Sequence, residues 1–357
     1  MESLNDTRTP SDNTLKIWQQ NVNKSKICQH DLISNARLVR ENIDIIALQE
    51  PAINHLGGTI TTKDWTVIYP TTHTAEPQRT RSITLIRSKI ITDSWKQLDI
   101  NTGDVTAIRI TGNWGALTLL NIYNDCEHDQ TLAELAKAHK LYERETRNGP
   151  PEQNHLIWLG DFNRHHPHWD APADTRLFTQ QAVDKAEKLI NLVADAGLDL
   201  ALPPQIPTHQ HSVTKCWSRL DHVFLSDHST DVLISCEVIA NALRIKTDHL
   251  PIITKLNLSV TKTPDRIFAN FRNVDWDKFR TALRTHLAQL EAPLPIENQQ
   301  SLDSKCDKLT NALQTTITEQ VPTTKIGPHA RRWWTKELTQ LRQQANKLGR
   351  CHASTGA

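Results

Sequence analysis

Long apolar runs are missing from this 357-residue sequence. Nowhere do about eighteen apolar residues follow one another, the length a helix needs to cross a bilayer. The opening "MESLNDTRTPSDNT" also lacks the basic, apolar and small-residue parts of a signal peptide. Residues 1–14 are therefore expected to be a disordered N-terminus on a soluble, unsecreted protein with no membrane partner. Paired cysteines are missing too. Cys28, Cys126, Cys216, Cys236, Cys306 and Cys351 include no C-x-x-C pair and are too sparse for a disulfide scaffold. They read as reduced thiols, in a nuclear or cytosolic compartment. There is no internal repeat and no low-complexity tract. What remains is a globular chain, 38% apolar, long enough for one large domain or a domain with an appendage.

The net charge of +1 conceals an asymmetry. Residues 1–259 carry 26 Lys and Arg against 31 Asp and Glu, whereas residues 260–357 carry 15 against 9, giving −5 and +6. From Lys325 onward seven basic residues face only Glu337. Two readings fit that tail: a surface attracted to a polyanion, or the solvated face of a helix.

Residues 15–258 mix strands and helices. "LKIWQQNV", "DIIALQE", "WTVIY", "SITLIRS", "VTAIRIT", "GALTLLNIY", "HLIWLGD", "LDHVFLS", "DVLISCEVI" and "IITKLNL" have strand length, β-branched content and turn-rich flanks. "CQHDLISNARLVREN", "TLAELAKAHKLYERE" and "QQAVDKAEKLINLVADAG" have helical spacing, the last closing at a C-terminal Gly197. Most neighbouring strands have no helix between them, which disfavours a doubly wound parallel sheet. Two mostly antiparallel sheets packed together, with helices outside, are expected instead.

Residues 259–357 read as a helical, basic connector. "VDWDKFRTALRTHLAQL" aligns Trp276, Phe279, Leu283, Leu287 and Leu290, and "SLDSKCDKLTNALQTTITEQV" aligns Leu302, Cys306, Leu309, Leu313 and Ile317. Pro-containing stretches separate these from a third helix, "RRWWTKELTQLRQQANKL". The final "GRCHASTGA" is expected to be a disordered end or the start of a further region.

The chemistry concentrates where apolar strands stop. "IWLGDFNRHHPHWD" ends a strand on Asp161 and Asn163, then crowds three histidines and a tryptophan into six residues. One such carboxylate is an ordinary Gly-Asp turn, but the pattern recurs. Asn21 ends "IWQQN", Glu50 ends "DIIALQE", Tyr123 ends "LTLLNIY", Asp221 sits in "SRLDHVF", and Asp248 and His249 precede "LPIITKL". Side chains at strand ends are held by the ladder while their tips reach solvent, which suits an active site.

Taken in order, "QQN", "ALQEP", "NIYN", "LGDFNRHHPHWD", "SRLDHVF" and "TDHLPI" resemble the endonuclease/exonuclease/phosphatase superfamily over residues 15–258. Within it they are most similar to the apurinic-type endonuclease domain of non-LTR retrotransposons. The resemblance implies a four-layer α/β sandwich, two packed sheets flanked by helices, with the helical tail resembling the connector toward a reverse transcriptase. No aromatic-x-Asp-Asp polymerase motif occurs. It further implies hydrolysis of DNA phosphodiesters with Mg2+, for which Mn2+ substitutes.

Roles follow by position in the motifs. Glu50 would hold the metal, with Asn21 supporting it and Asp248 near it directly or through water. Asp161 would orient or deprotonate the attacking water, and Asn163 would donate to the phosphate or that water. His249, kept charged by Asp221 or by Asp248, would neutralise a phosphoryl oxygen, and Tyr123 would contact the phosphate. Thr208 matches a position near the DNA minor groove. Arg79 and Arg81 fit phosphate contacts or a solvated loop, and His165, His166 and His168 fit packing or backbone contacts better than zinc, with no cysteine nearby. Two departures from the family are Asn23, where some relatives carry Asp, which favours one ion, and "NIYND", where many carry proline. Expected partners are double-stranded DNA and, for a mobile element, its RNA and a reverse transcriptase, in the nucleus after cytoplasmic synthesis. A cellular abasic-site nuclease, a superfamily phosphatase and a non-enzymatic nucleic-acid tether are the alternatives.

Overall fold

The computed structural model describes residues 14–34, 42–147, 149–240, 247–262, 267–290, 295 and 298–325. The expected disorder of the N-terminus, the end of the first helix, the "RRWW" helix and nearly all the basic run lie outside them. The chain divides into two compact units, Met1–Thr263 and Pro264–Ala357.

The first unit holds two six-stranded sheets. The first sheet comprises β1 (Leu15–Asn21), β2 (Ile45–Gln49), β3 (Trp65–Ile68), β4 (Ser82–Arg87), β13 (Leu233–Val238) and β14 (Ile252–Leu256), in the order β13-β14-β1-β2-β4-β3. The second comprises β5 (Trp95–Leu98), β6 (Val105–Gly112), β7 (Gly115–Tyr123), β8 (Asn154–Asp161), β9 (Leu198–Leu200) and β12 (Asp221–Ser226), in the order β5-β6-β7-β8-β12-β9. A short hairpin, β10 (His209–Gln210) with β11 (Trp217–Ser218), stands apart. The helices are α1 (Lys26–Ser34), α2 (Gln130–Thr146), α3 (Gln180–Asp195) and the single turn α4 (Asp227–Thr230).

Both sheets are mixed. The parallel pairs are β1–β2 and β7–β8, and each has a helix in its connection, α1 and α2, as a parallel crossover requires. The ten strands expected from sequence are present. The additional strands of this unit, β5, β9, β10 and β11, have four residues or fewer, too few for a period to register.

The continuous apolar runs have a simple cause. Strand side chains alternate, and here both faces are covered. In β8, Ile157 and Leu159 point into the core between the sheets, with Ile17, Ile45 and Ala47 from the first sheet. Leu156 and Trp158 point outward under Leu132 and Leu135 of α2 and Leu189 and Val193 of α3. On the other outer face, Cys28, Leu32 and Ile33 of α1 cover Trp18, Ile46 and Leu48. The result is four layers: helix, sheet, sheet, helix. α3 begins on a Thr179 cap and closes with Gly197 at φ +59°, the left-handed C-terminal position expected of it. Residues 259–262 hold to this unit, through Trp114 Nε1 to the Ser259 carbonyl and Lys262 Nζ to Asp44 at 2.6 Å.

The second unit pairs α5 (Trp276–Ala288) with α6 (Gln299–Gln320), beside a two-stranded ladder, β15 (Ile267–Ala269) with β16 (Thr323–Lys325). Asp275 caps α5 and an Asn298–Ser301 capping box starts α6. The aligned apolar stripes are only partly buried among the described residues. Phe279 is the buried member of the α5 stripe, and Leu302, Leu309 and Leu313 of α6 are exposed. α6 buries Ala312 and Thr316 instead, small residues four apart that permit close helix approach.

Gly160 carries a further constraint. Its φ is +147°, and a Cβ there would fall inside the Ile122 carbonyl of β7. Gly197 has a left-handed φ but open space around it. Gly160→Ala should therefore cost roughly 2–4 kcal/mol and Gly197→Ala about 1–2 kcal/mol in urea unfolding. Equal losses would show that the strand contact at Gly160 is not what demands glycine.

Candidate active site

At one end of the sandwich the inward-facing rows change character. Along β1 the row reads Leu15, Ile17, Gln19, Asn21; along β2, Ile45, Ala47, Gln49; along β7, Leu117, Leu119, Asn121, Tyr123; along β8, Ile157, Leu159, Asp161. β12 runs the other way, so its row starts at Asp221 and continues Val223, Leu225. Period-two geometry thus sends Asn21, Gln49, Tyr123, Asp161 and Asp221 into the gap between the sheets. There Gln49 Nε2 donates to Asn121 Oδ1, and Asn121 Nδ2 donates to the Leu48 and Ile83 carbonyls. This buried polar layer separates the apolar core from the reactive groups.

Asp161 is the centre. It pairs with Tyr123 on β7 and Asp221 on β12, and is 1% exposed. From the opposite sheet Asn21 Nδ2 donates to Asp161 Oδ2 at 2.8 Å, and the Asn163 amide donates to Oδ1 at 3.0 Å. Asn163 sits at φ +48°, tied by its own Nδ2 to the Asn124 carbonyl at 3.0 Å. Burial raises the Asp161 pKa above the ordinary carboxylate value; His249 and Asn21 oppose the rise and the Asp221 charge adds to it.

His249, just before β14, reaches across from the first sheet's side. Its Nδ1 lies 2.8 Å from Asp221 Oδ2, while its Nε2 faces Asp161 Oδ2 at 3.8 Å and Asp248 Oδ1 at 4.0 Å. Burial disfavours the imidazolium, but Asp221, then Asp161 and Asp248, outweigh it and hold the pKa up to about 9. Of the two carboxylates left open by the sequence, Asp221 is the one paired with the ring. Asp248 is instead hydrogen-bonded by His209, which holds its pKa down to about 2 against the effect of burial.

Glu50 follows β2 at φ +46°, a left-handed backbone uncommon outside glycine and asparagine and frequent at functional positions. Tyr123 is hydrogen-bonded to it, and burial followed by the Glu50 charge pushes the phenol well above its ordinary pKa, so the hydroxyl stays a donor. Asn21 ends the neighbouring parallel strand, and Asn23 Nδ2 reaches Asp248 Oδ1 at 3.4 Å. Glu50, Asn21 and Asp248 offer two carboxylates and one amide oxygen, all hard donors. By donor type they suit a divalent cation that keeps several of its waters.

Two expected DNA contacts, Thr208 and Arg81, are corrected by burial or pairing. Thr208 is fully buried; its hydroxyl accepts from the amides of Leu220 and Asp221 at 3.3 and 3.1 Å and so positions Asp221. Arg81 is committed to Asp104 at 2.6 Å and Asp125 at 2.5 Å and lies over the Tyr123 ring, leaving it no free fork for phosphate. In the histidine loop, Trp169 and Asp170 are buried, and Asp170 Oδ2 holds both the His166 amide and the half-buried His165 ring, at 3.3 Å from the latter. Arg79 remains exposed, paired with Glu76 at 3.1 Å. His209 was passed over in the sequence because nothing local marks it; it comes beside His249 through backbone pairing alone.

Residues 19–249 match the Endonuclease/Exonuclease/phosphatase family, and the chain belongs to it. It is therefore, by class, a hydrolase of phosphodiester bonds, in a family that works with a divalent metal. Among solved structures, the endonuclease domain of TRAS1, a telomere-specific non-LTR retrotransposon, superposes with a TM-score of 0.52 at 17% identity, over 68% of this chain and 99% of that one. The AP endonuclease LMAP from Leishmania major gives 0.53 at 14% identity, over 70% and 88%. The Xenopus laevis APE2 catalytic domain gives 0.52 at 16%, over 71% and 94%. These likenesses establish the sandwich fold. Comparison with curated proteins gives no match.

The charge on His249 sets a pH dependence. The folded state favours its proton, so this stabilisation is complete below the ordinary value of 6.5 and fades as pH rises through about 9. Urea midpoints should fall over that window in the wild type and stay flatter in Asp221→Asn. An imidazole that titrates near 6.5 by NMR in the wild type would overturn the pairing.

Proposed function

We propose that this chain is a magnesium-dependent endonuclease that nicks duplex DNA, leaving a 3′-hydroxyl from which an associated reverse transcriptase primes. The observation that carries it is His249, reaching from the first sheet's side to Asp221 and Asp161, which are neighbours on the second sheet. Asp161, held by Asn21 and the Asn163 amide and raised by burial, accepts a proton from the attacking water. The water oxygen bonds to phosphorus and the bond to the 3′ oxygen breaks. His249 presents its charged Nε2 edge to a phosphoryl oxygen, and Tyr123, whose one hydroxyl proton goes to Glu50 here, turns it from that carboxylate to donate to another. Glu50, with Asn21 or Asp248, would hold magnesium, which would supply positive charge to offset that of the phosphate and the leaving oxygen.

The retrotransposon reading rests on the "GDFNRHHPHWD" loop and the "RRWW" tail, and TRAS1 shares the fold. On this reading the basic tail holds element RNA or DNA beside the polymerase, in the nucleus. Abasic-site repair is the competing reading, since the AP endonucleases share the same sandwich. Intact and abasic duplexes of one sequence separate the two: comparable nicking of both supports the mobile-element enzyme, and cleavage confined to the abasic strand supports repair.

The full chain should nick supercoiled plasmid with magnesium or manganese and not in EDTA. Asp161→Ala and His249→Ala should each slow single-turnover nicking on the order of 10²- to 10⁴-fold, and the double variant little more, because both act on one transition state. DNA affinity should change far less. Near wild-type rates in His249→Ala would remove the histidine from the mechanism, and full activity in chelator would remove the metal.

A further inference from the structure

The hydrolysis above leaves His209 unused, although the backbone brings it into the site. His209 and His249 form an antiparallel bridge, Leu250 N donates to the Thr208 carbonyl, and Gln210 N donates to that of Asp248. The two imidazoles stand with centroids 4.7 Å apart, tilted by 52°. Each has its Nδ1 taken: His209 by Ser218 Oγ at 3.2 Å, His249 by Asp221 Oδ2 at 2.8 Å. Each therefore turns Nε2 toward the same carboxylate. His209 Nε2 lies 3.5 Å from Asp248 Oδ2, and His249 Nε2 lies 4.0 Å from Asp248 Oδ1.

We propose that His209, Asp248 and His249 form a second metal site, selective for a borderline-soft divalent ion of the zinc class, and that zinc bound there blocks hydrolysis. The donors already lie within 4.8 Å of one another. Tetrahedral zinc, with bonds of ~2.0–2.1 Å, places its donors roughly 3.3 Å apart, so closure needs the donors to draw together by about 0.7 Å between His249 and Asp248 and by at most about 1.5 Å for any pair. The hydrogen bonds on both Nδ1 atoms are the outer-shell arrangement that fixes a metal-ligating histidine and aims its other nitrogen. Two imidazoles favour zinc over magnesium, which prefers the oxygen donors around Glu50. Asp248 is 26% exposed, which leaves a path for the ion and room for water as the fourth ligand. Coordination occupies the Nε2 of His249 that the hydrolysis turns toward the phosphate. That inhibitory consequence rests on the proposed nuclease reading; the binding does not.

The test uses the metal-stripped full chain. Calorimetric titration with Zn2+ should show one ion per chain, and Co2+ should give the visible absorption of a tetrahedral site. His209→Ala should weaken zinc on the order of 10-fold or more. His209→Cys, which substitutes a thiolate ligand, should restore it, and thermal unfolding of both variants checks the fold. Glu50→Gln should retain zinc binding while losing magnesium-supported nicking. Zinc should inhibit the wild type at its binding concentration, and the inhibiting concentration should rise in His209→Ala in step with the lost affinity. Equal zinc affinity in the wild type and a folded His209→Ala overturns the site, as does loss of zinc binding in Glu50→Gln. A wild type that does not nick with magnesium would sink the nuclease reading, and the titrations would still decide whether the zinc site exists.

Discussion

β8 is paired parallel with β7 and antiparallel with β12, and a single register satisfies both, setting Tyr123, Asp161 and Asp221 in one row. A slip of one residue on either side would turn Asp161 toward the helices and Phe162 toward the gap. The apolar positions behind Asp161 prevent that slip. Ile157 and Leu159 belong to the core between the sheets, Leu156 and Trp158 to the core under α2 and α3, and both sets are essentially fully buried. Burial of these side chains, at roughly 1.5–3 kcal/mol each, fixes the register and so fixes where the carboxylate emerges. Gly160 then allows the β7 backbone to come close immediately before the reactive residue.

The second constraint is charge in a dry place. Asp161, Asp221 and His249 are all nearly inaccessible, and three buried ionisable groups are tolerable only when they answer one another. One imidazolium among three carboxylates does this, with Asn21 and the Asn163 amide satisfying lone pairs that His249 does not reach. Thr208, buried and bonded to the Asp221 backbone, secures the partner that keeps the imidazole charged. Arg81, bound to Asp104 and Asp125 and lying over Tyr123, holds the wall on the other side. These supports explain why polar residues between the sheets need no free contact with substrate to matter.

Much of the sandwich was legible because its central strands are long and apolar. The ten runs of Val, Ile, Leu and Trp are all strands, and Asn21, Glu50, Tyr123, Asp161, Asp221 and His249 all stand at or beside strand ends. The signal missed was finer. In β1, β2, β7 and β8 the change from apolar to polar occurs within alternate positions, Ile17 to Gln19, Ala47 to Gln49, Leu119 to Asn121 and Leu159 to Asp161, which marks the inward face before any strand is paired. In α6 the spacing records a face without saying what covers it: Leu302, Leu309 and Leu313 are exposed, and the helix buries Ala312 and Thr316.

The sequence by itself determined the ten longer strand runs, the helices between the parallel pairs and the kinds of group at the reacting end. These depend on local period and residue type, which travel with the chain. Only the tertiary structure decided which groups meet. Asn21 and Asp161 are 140 positions apart and Asp221 and His249 are 28 apart, and nothing local favours Asp221 over the adjacent Asp248 as partner of the imidazole. That choice comes from β12 presenting Asp221 into the gap between the sheets, while the bridge between His209 and His249 draws Asp248 toward His209. The same distinction reassigns Thr208 and Arg81, whose side chains look like free donors in a sequence and are spent on Asp221, Asp104 and Asp125 in the fold. Pairing across sheets is set by the packing of whole faces, a long-range quantity that no short stretch of residues encodes.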